Sequence, residues 1–435
     1  MYKKNFNKIK YLKLAVIGLG YVGLPLAVEF GKKRSVIAYD KSNERIKALI
    51  KGQDKTLELK KKEIQKAKFV KFTNKINDLD NANCFIVTVP TPINKKKQPD
   101  LKHLIEVSKS LGLLLKKGNI VIYESTVYPG ATEEICVPIL EKYSRLKYNK
   151  DFFCGYSPER INPGDSKHKL KNILKITSGS NKKITAIIDL LYKQIILAGT
   201  YKAESIRTAE AAKVIENTQR DLNIALINEL AIIFKKMKID TEDVLKAACT
   251  KWNFNKFYPG LVGGHCIGVD PYYLTYKAKK IGYKPKIILA GRKLNDNMDK
   301  YVFDQFIQEL KRKNIALKKN KILILGVTFK ENCGDVRNSK IVNLINRLVV
   351  KKCNVDIYDP FVRNIKDIGI KDKKRTKILN ITQLNKKKYD GIIIAVSHTK
   401  IKRMGARFIK SLGKENHVLY DLKYIFQKKD ISFRL

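Results

Sequence analysis

The chain has 435 residues, 44 % of them hydrophobic and 30 % charged, which excludes a wholly disordered or fibrous protein and suggests about three domains at roughly 150 residues each. Its formal net charge of +48 comes from 89 Lys+Arg against 41 Asp+Glu, yet the lysines lie in short scattered runs (Lys60 to Lys62, Lys95 to Lys97, Lys386 to Lys388) with no basic block or tail. That pattern fits a solvated, compositionally biased surface better than a nucleic-acid binder, which concentrates its charge on one face.

The basic start, up to Lys13, and the apolar run Leu14 to Val28 superficially copy a secretory signal, but Gly18, Gly20, Gly23 and Pro25 break the run where a helix should continue. No later segment offers about 18 uncharged apolar residues. The seven cysteines are odd in number and carry neither a CxxC pair nor metal-ligand spacing. A cytoplasmic protein with no membrane segment, no nucleic-acid partner and no metal is therefore expected. Leu12 to Gly18, Ser35 to Tyr39, Cys84 to Val89 and Asn119 to Tyr123 read as strands buried on both faces of a parallel, doubly wound sheet, in a first domain over 1–200. From Tyr201 to about Lys236 the chain lacks Gly and Pro, and a continuous helix there would run for about 54 Å at 1.5 Å per residue. Such a helix suits a link between domains and a contact with a second subunit, within a central segment 201–312 that also holds the Gly- and aromatic-rich loop Trp252 to Tyr273. After the charged stretch Lys311 to Lys321, the runs Lys321 to Gly326, Asn354 to Tyr358, Gly391 to Val396 and His417 to Leu422 read as four more buried strands, in a last domain over 313–435. The expected fold class is α/β, with two Rossmann-like doubly wound parallel-sheet domains joined by a central long-helix domain.

Chemistry concentrates at a few places. Gly18-Leu19-Gly20-Tyr21-Val22-Gly23 follows the first strand and opens a helix, and Asp40 ends the next strand 22 residues after Gly18. Gly18 allows the tight turn, Gly20 lets backbone approach a pyrophosphate, Gly23 lets helix pack on strand, and the helix N-terminus stabilises phosphate charge. A carboxylate at Asp40 can bond both ribose hydroxyls and repels a 2′-phosphate, favouring NAD over NADP. Thr88 to Pro92 and Glu124 to Gly130 are loops at strand C-termini, where such a site is completed. Gly263-Gly264-His265-Cys266-Ile267-Gly268-Val269-Asp270-Pro271 is too glycine-rich and polar for core, so a nucleophilic thiol at Cys266 is plausible, while His265 is equally a structural neighbour. Lys213 and Asn217 are four residues apart on the long helix and share a face, although spacing alone leaves an ordinary solvated lysine and surface asparagine as the simpler reading. Lys330 follows Leu323 to Phe329 at a strand end, with Asp335 and Arg337 close behind, and a basic residue there suits an anionic nucleotide.

Taken in order, these segments resemble the nucleotide-sugar dehydrogenase family, the UDP-glucose/GDP-mannose 6-dehydrogenases, from about Leu12 to the C-terminus. Within it the chain is most similar to the bacterial UDP-N-acetylglucosamine 6-dehydrogenases of Vi-antigen-type polysaccharide synthesis, through Glu124 to Gly130, Ser157 to Gly164, Ala211 to Thr218, Gly263 to Leu274 and Phe329 to Cys333. The resemblance implies an NAD domain, a helical dimerisation domain and a UDP-binding domain, in a homodimer or higher homo-oligomer. It also implies a four-electron oxidation of the sugar's C6 hydroxymethyl group to a carboxylate with two NAD. In that reaction Cys266 would form a thiohemiacetal and then a thioester, and Lys213 and Asn217 would hold the oxyanion of each tetrahedral species. Asp270 would take part in proton transfer or position Lys213 and the water, and Thr126 and Glu159 would place water near C6. Tyr21, Val22, Arg45, Thr91, Thr126 and Lys330 join the glycines and Asp40 as cofactor contacts. Arg160, Tyr258, Gly260, Arg292, Phe329 and Lys330 join Glu159, Lys213 and Asn217 on the UDP-sugar.

Two departures bear on the substrate. The UDP-glucose branch typically carries a further acid four residues after the Pro-Glu of the Glu159 motif, where this chain has Pro163, which favours an N-acetylated sugar. The family often supplies an arginine about 16 residues before the catalytic cysteine from a neighbouring subunit; Thr250 has that spacing here, leaving Lys251 or Arg292 as candidates. UDP-glucose, UDP-N-acetylgalactosamine and UDP-N-acetylmannosamine are the alternative substrates. A two-electron hydroxyacid dehydrogenase would need neither Cys266 nor a second αβ domain, and a nucleic-acid binder would need a basic block that the chain lacks.

Overall fold

The computed structural model describes residues 9–56, 58–161, 169–264, 266–385 and 388–435. His265, Pro163 and Gly164 lie outside the described residues. Two units form: Met1–Glu216 with Tyr272–Lys284, and Asn217–Pro271 with Pro285–Leu435.

The first unit is organised by strands that are apolar at every position. Leu14–Ile17 (β1), Cys84–Val87 (β4) and Ile120–Tyr123 (β5) are buried throughout, as strands covered by helices on both faces must be. With Val36–Tyr39 (β2), Val70–Thr73 (β3), Phe153–Tyr156 (β6), Lys175–Gly179 (β7) and Thr200–Lys202 (β8) they make an eight-stranded sheet in the order β3-β2-β1-β4-β5-β6-β7-β8. The order reverses at β1, so the crevice beside the β1 and β4 C-termini is the topological switch point where such folds bind ligands. One departure from the all-parallel expectation is that β7 runs antiparallel to β6.

The long helix begins at Ile206 and ends at Lys236, five residues later than its composition suggests. Thr200–Lys202 pairs with β7 instead, and the Ser205 hydroxyl accepts the Thr208 N–H at 3.0 Å, a cap that starts the helix after the strand. Its 31 residues span about 46 Å at 1.5 Å per residue.

In the second unit Lys321–Leu325 (β9), Asn354–Tyr358 (β10), Thr376–Leu379 (β11), Tyr389–Ile394 (β12), Gly413–Asp421 (β13) and Phe433–Arg434 (β14) form a parallel sheet in the order β11-β10-β9-β12-β13-β14. The helix Lys286–Arg312 packs Met298, Val302, Phe306 and Leu310 against it. A Cβ at Gly391 would fall 2.4 Å from Phe306 Cζ, so that glycine sets how closely helix and sheet approach. Arg434 in β14 is ion-paired with Asp240 and Glu242 at the start of the helix Thr241–Ala248, which fastens the chain end. Among the described residues no helix is long and apolar enough to cross a membrane.

Candidate active site

In the first unit each motif glycine meets a different constraint. Gly18 has φ +91° and donates its N–H to the Tyr39 carbonyl at 2.9 Å, a left-handed turn that excludes a side chain. A Cβ on Gly23 would lie 1.9 Å from the Gly18 carbonyl oxygen, so the helix Gly23–Gly31 can start against the strand end only without one. A Cβ on Gly20 would meet nothing within 4 Å among the described residues, so a ligand can approach that side of its backbone closely. Asp40 accepts the N–H groups of Leu19 and Ser42, each at 2.9 Å, one on each carboxylate oxygen. Lone pairs remain on both oxygens for a ribose.

Arg45 donates through Nε to the Leu19 carbonyl at 2.9 Å and lies 2.8 Å from Asp54, while its buried Nη1 has no hydrogen-bond partner among the described residues. Tyr21 and Val22 complete the turn, and Thr91 donates to the Thr126 carbonyl at 2.6 Å while its own carbonyl accepts the Tyr273 hydroxyl. Open backbone at a helix N-terminus, ribose acceptors and an orphaned buried donor fit a dinucleotide.

The same unit holds a buried charge network. Lys175 donates to Glu124 at 2.8 Å, to Glu159 at 3.2 Å and to the Pro158 carbonyl at 3.1 Å, and Tyr192 donates to Glu124. Burial pushes the Glu124 carboxyl up against the opposing charge of Lys175; burial would lower Lys175, but the two carboxylates outweigh it and hold it above its ordinary value. Arg160 is ion-paired with Glu216 on the long helix at 2.9 Å and donates to the Leu174 carbonyl, so its guanidinium is already engaged. Glu210, buried on the same helix, accepts the N–H groups of Gly130 and Thr132, and burial raises its carboxyl to about 7. Lys213, only 7 % exposed, is not the solvated lysine that its spacing allowed.

The second unit builds the cysteine turn. The Cys266 carbonyl accepts the N–H groups of Val269 and Asp270 at 3.0 and 2.8 Å, and Asp270 opens the helix Asp270–Lys280. Asn217 Nδ2 donates to Asp270 Oδ2 at 2.6 Å, tying the long helix to that turn. A Cβ on Gly264 would sit 2.7 Å from the Phe329 ring, and Asn338 donates to the Gly264 carbonyl at 3.2 Å. Gly260 is gripped at both backbone atoms by the Asn228 amide, at 2.8 and 3.1 Å. Tyr258 is partly exposed, with the Tyr424 ring 6.2 Å away. Arg292 lies beside Gly268 but is buried in ion pairs with Asp221 and Asp296, and burial raises the Asp221 carboxyl despite that partner. Lys330 is partly buried, and its carbonyl accepts the Thr328 hydroxyl at 2.8 Å.

Several of these groups escaped the sequence reading. Lys175, Tyr192, Glu210 and Asn228 sit within apolar stretches, where the sequence signal was a polar residue in a run otherwise fit for core, whereas Asp221 lies in the largely polar run Thr218 to Asn223 and gave no signal. Lys423 is another: its ammonium would come 3.5 Å from a Cβ at Gly260, and burial depresses its basicity against the opposing pull of Glu331 and Asp421. A desolvated ammonium beside a backbone glycine can hold a phosphate oxygen.

Models of the UDP-glucose/GDP-mannose dehydrogenase family match the chain in three consecutive parts: the NAD binding domain over residues 12–196, the central domain over 207–297 and the UDP binding domain over 323–428. The chain is 57 % identical over 428 residues to a UDP-N-acetyl-D-glucosamine 6-dehydrogenase of Pseudomonas aeruginosa, covering 98 % of this chain and 100 % of that one. It is 56 % identical to a protein of the same name from Salmonella typhi, over 98 % of this chain and 99 % of that one. Among solved structures it is similar to a UDP-D-ManNAc dehydrogenase from Pyrococcus horikoshii, with TM-score 0.84 and 28 % identity over 97 % of this chain and 98 % of that one.

Proposed function

The chain belongs to the UDP-glucose/GDP-mannose dehydrogenase family and is an NAD-dependent nucleotide-sugar dehydrogenase, and we propose that it oxidises C6 of UDP-N-acetylglucosamine to the carboxylate. The substrate reading is supported by near full-length likeness to two enzymes named for that sugar and by Pro163 standing where the UDP-glucose branch carries an acid. The product would feed a capsule, O-antigen or similar surface polysaccharide from the cytoplasm. The domain division that goes with this reading is 1–200 for NAD, 201–312 for dimerisation and catalysis, and 313–435 for UDP.

The bond from Asn217 to Asp270 carries the catalytic reading, because it joins the helix bearing Lys213 and Asn217 to the turn bearing Cys266. Bound NAD would supply the hydride acceptor. Cys266 lies in the turn that leads into the helix Asp270–Lys280, and as a thiolate it would add to the aldehyde carbon. Asn217 Nδ2 has a second proton beyond the one given to Asp270, and that proton together with the Lys213 ammonium would hold the oxyanion. Asp270 would orient Asn217 and relay protons, and Thr126 and Glu159 would place the water that ends the reaction. Lys330, Lys423, Phe329, Tyr258 and Gly260 would receive the UDP part. A homodimer or larger assembly is supported by the exposed Leu226 and Ile233, which share one face of the long helix at a spacing of seven residues, and by the exposed Met237 just after its end.

Purified protein and NAD are incubated with UDP-N-acetylglucosamine, UDP-N-acetylgalactosamine, UDP-N-acetylmannosamine and UDP-glucose separately, and NADH is counted per sugar consumed. Two NADH and a uronate are expected, fastest with UDP-N-acetylglucosamine, and Cys266→Ser is expected to lose uronate formation. One NADH with a released aldehyde would sink the covalent reading, and a faster rate on another sugar would replace the substrate.

A further inference from the structure

One strand in from an edge of the first sheet, β7 runs against its neighbour β6, and the place of its first residue follows from that reversal. β7 pairs with β6 through Gly155↔Gly179 and Tyr156↔Ser178, and extending this register by three residues sets Lys175 opposite Glu159. An antiparallel strand begins where its parallel neighbours end, so Lys175 enters the layer of strand C-termini that carries Glu124 after β5 and Glu159 after β6. There its ammonium, 3 % exposed, has three acceptors for its three protons: Glu124 Oε2, Glu159 Oε2 and the Pro158 carbonyl. Glu124 is held in turn by the Tyr192 hydroxyl on its other oxygen.

This leaves Glu159 little freedom. Its Oε1 accepts the N–H groups of Arg160 and Ile161 at 2.7 and 2.6 Å, and its Oε2 accepts Lys175 at 3.2 Å. A carboxylate offers about four lone-pair positions. Among the described residues the one still open lies on Oε2, and its direction is fixed by where Lys175 stands. Stability alone is a poor reason for such a group, since a buried ion pair can often be replaced by apolar residues at little or no cost.

We propose that Lys175, braced by Glu124 and Tyr192, is a positioning residue that aims the open lone pair of Glu159 at the water releasing the product. This deepens the proposed function and rests on its reading of Cys266 as the nucleophile. In the release step the water oxygen bonds to the thioester carbon, the C–S bond breaks and its electron pair returns to Cys266 as thiolate. One water proton passes to Glu159 Oε2, and the acid so formed loses the other to solvent.

The test is rapid mixing of full-length Lys175→Met with NAD and the fastest of the four UDP-sugars. Both oxidations should occur in a burst of about two NADH per active site, while kcat falls on the order of 100-fold. KM should fall with it, and the acyl group should accumulate as added mass on Cys266. Lys175→Arg, which keeps the charge and its donors, should restore part of the steady-state rate. A lysine needed only for folding would lower burst and kcat together and leave no acyl adduct; that result, or a native steady-state rate, overturns the proposal. If Lys175→Met does not fold, Tyr192→Phe decides: it removes one hydrogen bond from Glu124 and should show the same burst with kcat down about fivefold, and native behaviour there overturns the proposal. Cys266→Ser run alongside separates the two claims, because native uronate formation by that variant removes the nucleophile itself.

Discussion

The two units each carry a strand-turn crevice built on the same backbone device, and they differ in what stands beside it. In the first, Gly18 at φ +91° donates to Tyr39, and Asp40 at the end of β2 accepts the Leu19 N–H at 2.9 Å. In the second, Gly326 at φ +89° donates to Tyr358, and Asp359 after β10 accepts the Val327 N–H at 2.8 Å. The likeness ends there. Gly23 brings a helix directly onto the first turn, whereas the helix Lys340–Val350 begins well after Gly326. Asp40 is half-buried with lone pairs to offer, while Asp359 faces the fully buried His398, whose Nε2 is 3.1 Å from Asp359 and 3.0 Å from the Thr328 hydroxyl. His398 Nδ1 accepts the Asn332 N–H, so the proton sits on Nε2 and points at the carboxylate. One turn is thus open to a dinucleotide's phosphates and ribose. In the other the equivalent acid is closed by an imidazole.

The sharpest way to break this comparison is at Gly23. Gly23→Val forces a side chain against the Gly18 carbonyl, an atom of backbone that cannot yield, and should abolish NAD binding and cost the first unit about 3 kcal/mol or more. Glu331 is as far from Gly326 as Gly23 is from Gly18, but it is exposed in a turn that no helix enters, so Glu331→Val should leave NAD binding intact and change stability by no more than about 0.5 kcal/mol. Calorimetry with NAD titration on both variants checks the pair; equal losses would mean that the helix start is not what sets the first crevice apart.

One acid in each unit should also respond to pH, and the two respond in opposite directions. Glu210 in the first unit is raised from 4.5 to about 7, so between those values the folded state keeps a proton that the unfolded chain releases. Its contribution is present below the unfolded value and is lost as pH rises through 7, about 3 kcal/mol at about 1.36 kcal/mol per pKa unit. Burial pushes Asp359 up, but the His398 bond and backbone donors outweigh it and hold its carboxyl below 3.8, so its contribution is present above that value and is lost on acidification. Hydrogen exchange followed at pH 5 and pH 8 should show the Gly130 and Thr132 amides, which donate to Glu210, losing protection as pH rises, and Glu210→Gln should flatten that trend.

How much of this was legible in the sequence depended on the kind of signal. β1, β4, β5 and most of β9 were readable because strands buried on both faces are unbroken apolar runs. The edge strands β3 and β11 were not, since their half-exposed residues alternate weakly, and the start of the long helix was misread because composition does not register that Thr200–Lys202 pairs with β7. The Gly18 turn was readable because its glycines are backbone requirements. Its counterpart at Gly326 was seen only as a strand end before Lys330, for it has no second glycine to announce it. Lys175 could not be found at all: in a chain with 89 Lys+Arg, nothing local says that β7 reverses and carries this lysine between two carboxylates.

A gentler pair of substitutions sharpens the comparison at the acids themselves. Asp40→Asn keeps the size of the side chain but gives up one anionic acceptor, and hydrogen bonds to charged groups are worth about 1.5–3 kcal/mol, so the NAD dissociation constant should rise about 10- to 100-fold. UDP affinity should not move, because the same variant leaves the second crevice untouched. Asp359→Asn should act on stability instead. It removes an anion that accepts from Val327, Phe361 and His398, so it should cost the second unit about 1–3 kcal/mol while NAD affinity stays at the native value. Isothermal titration with NAD and with UDP, each on both variants, gives four numbers and one decisive pattern. If Asp359→Asn weakened NAD as much as Asp40→Asn did, the second crevice would be a dinucleotide site like the first, and the imidazole over its carboxylate would not be what divides their roles.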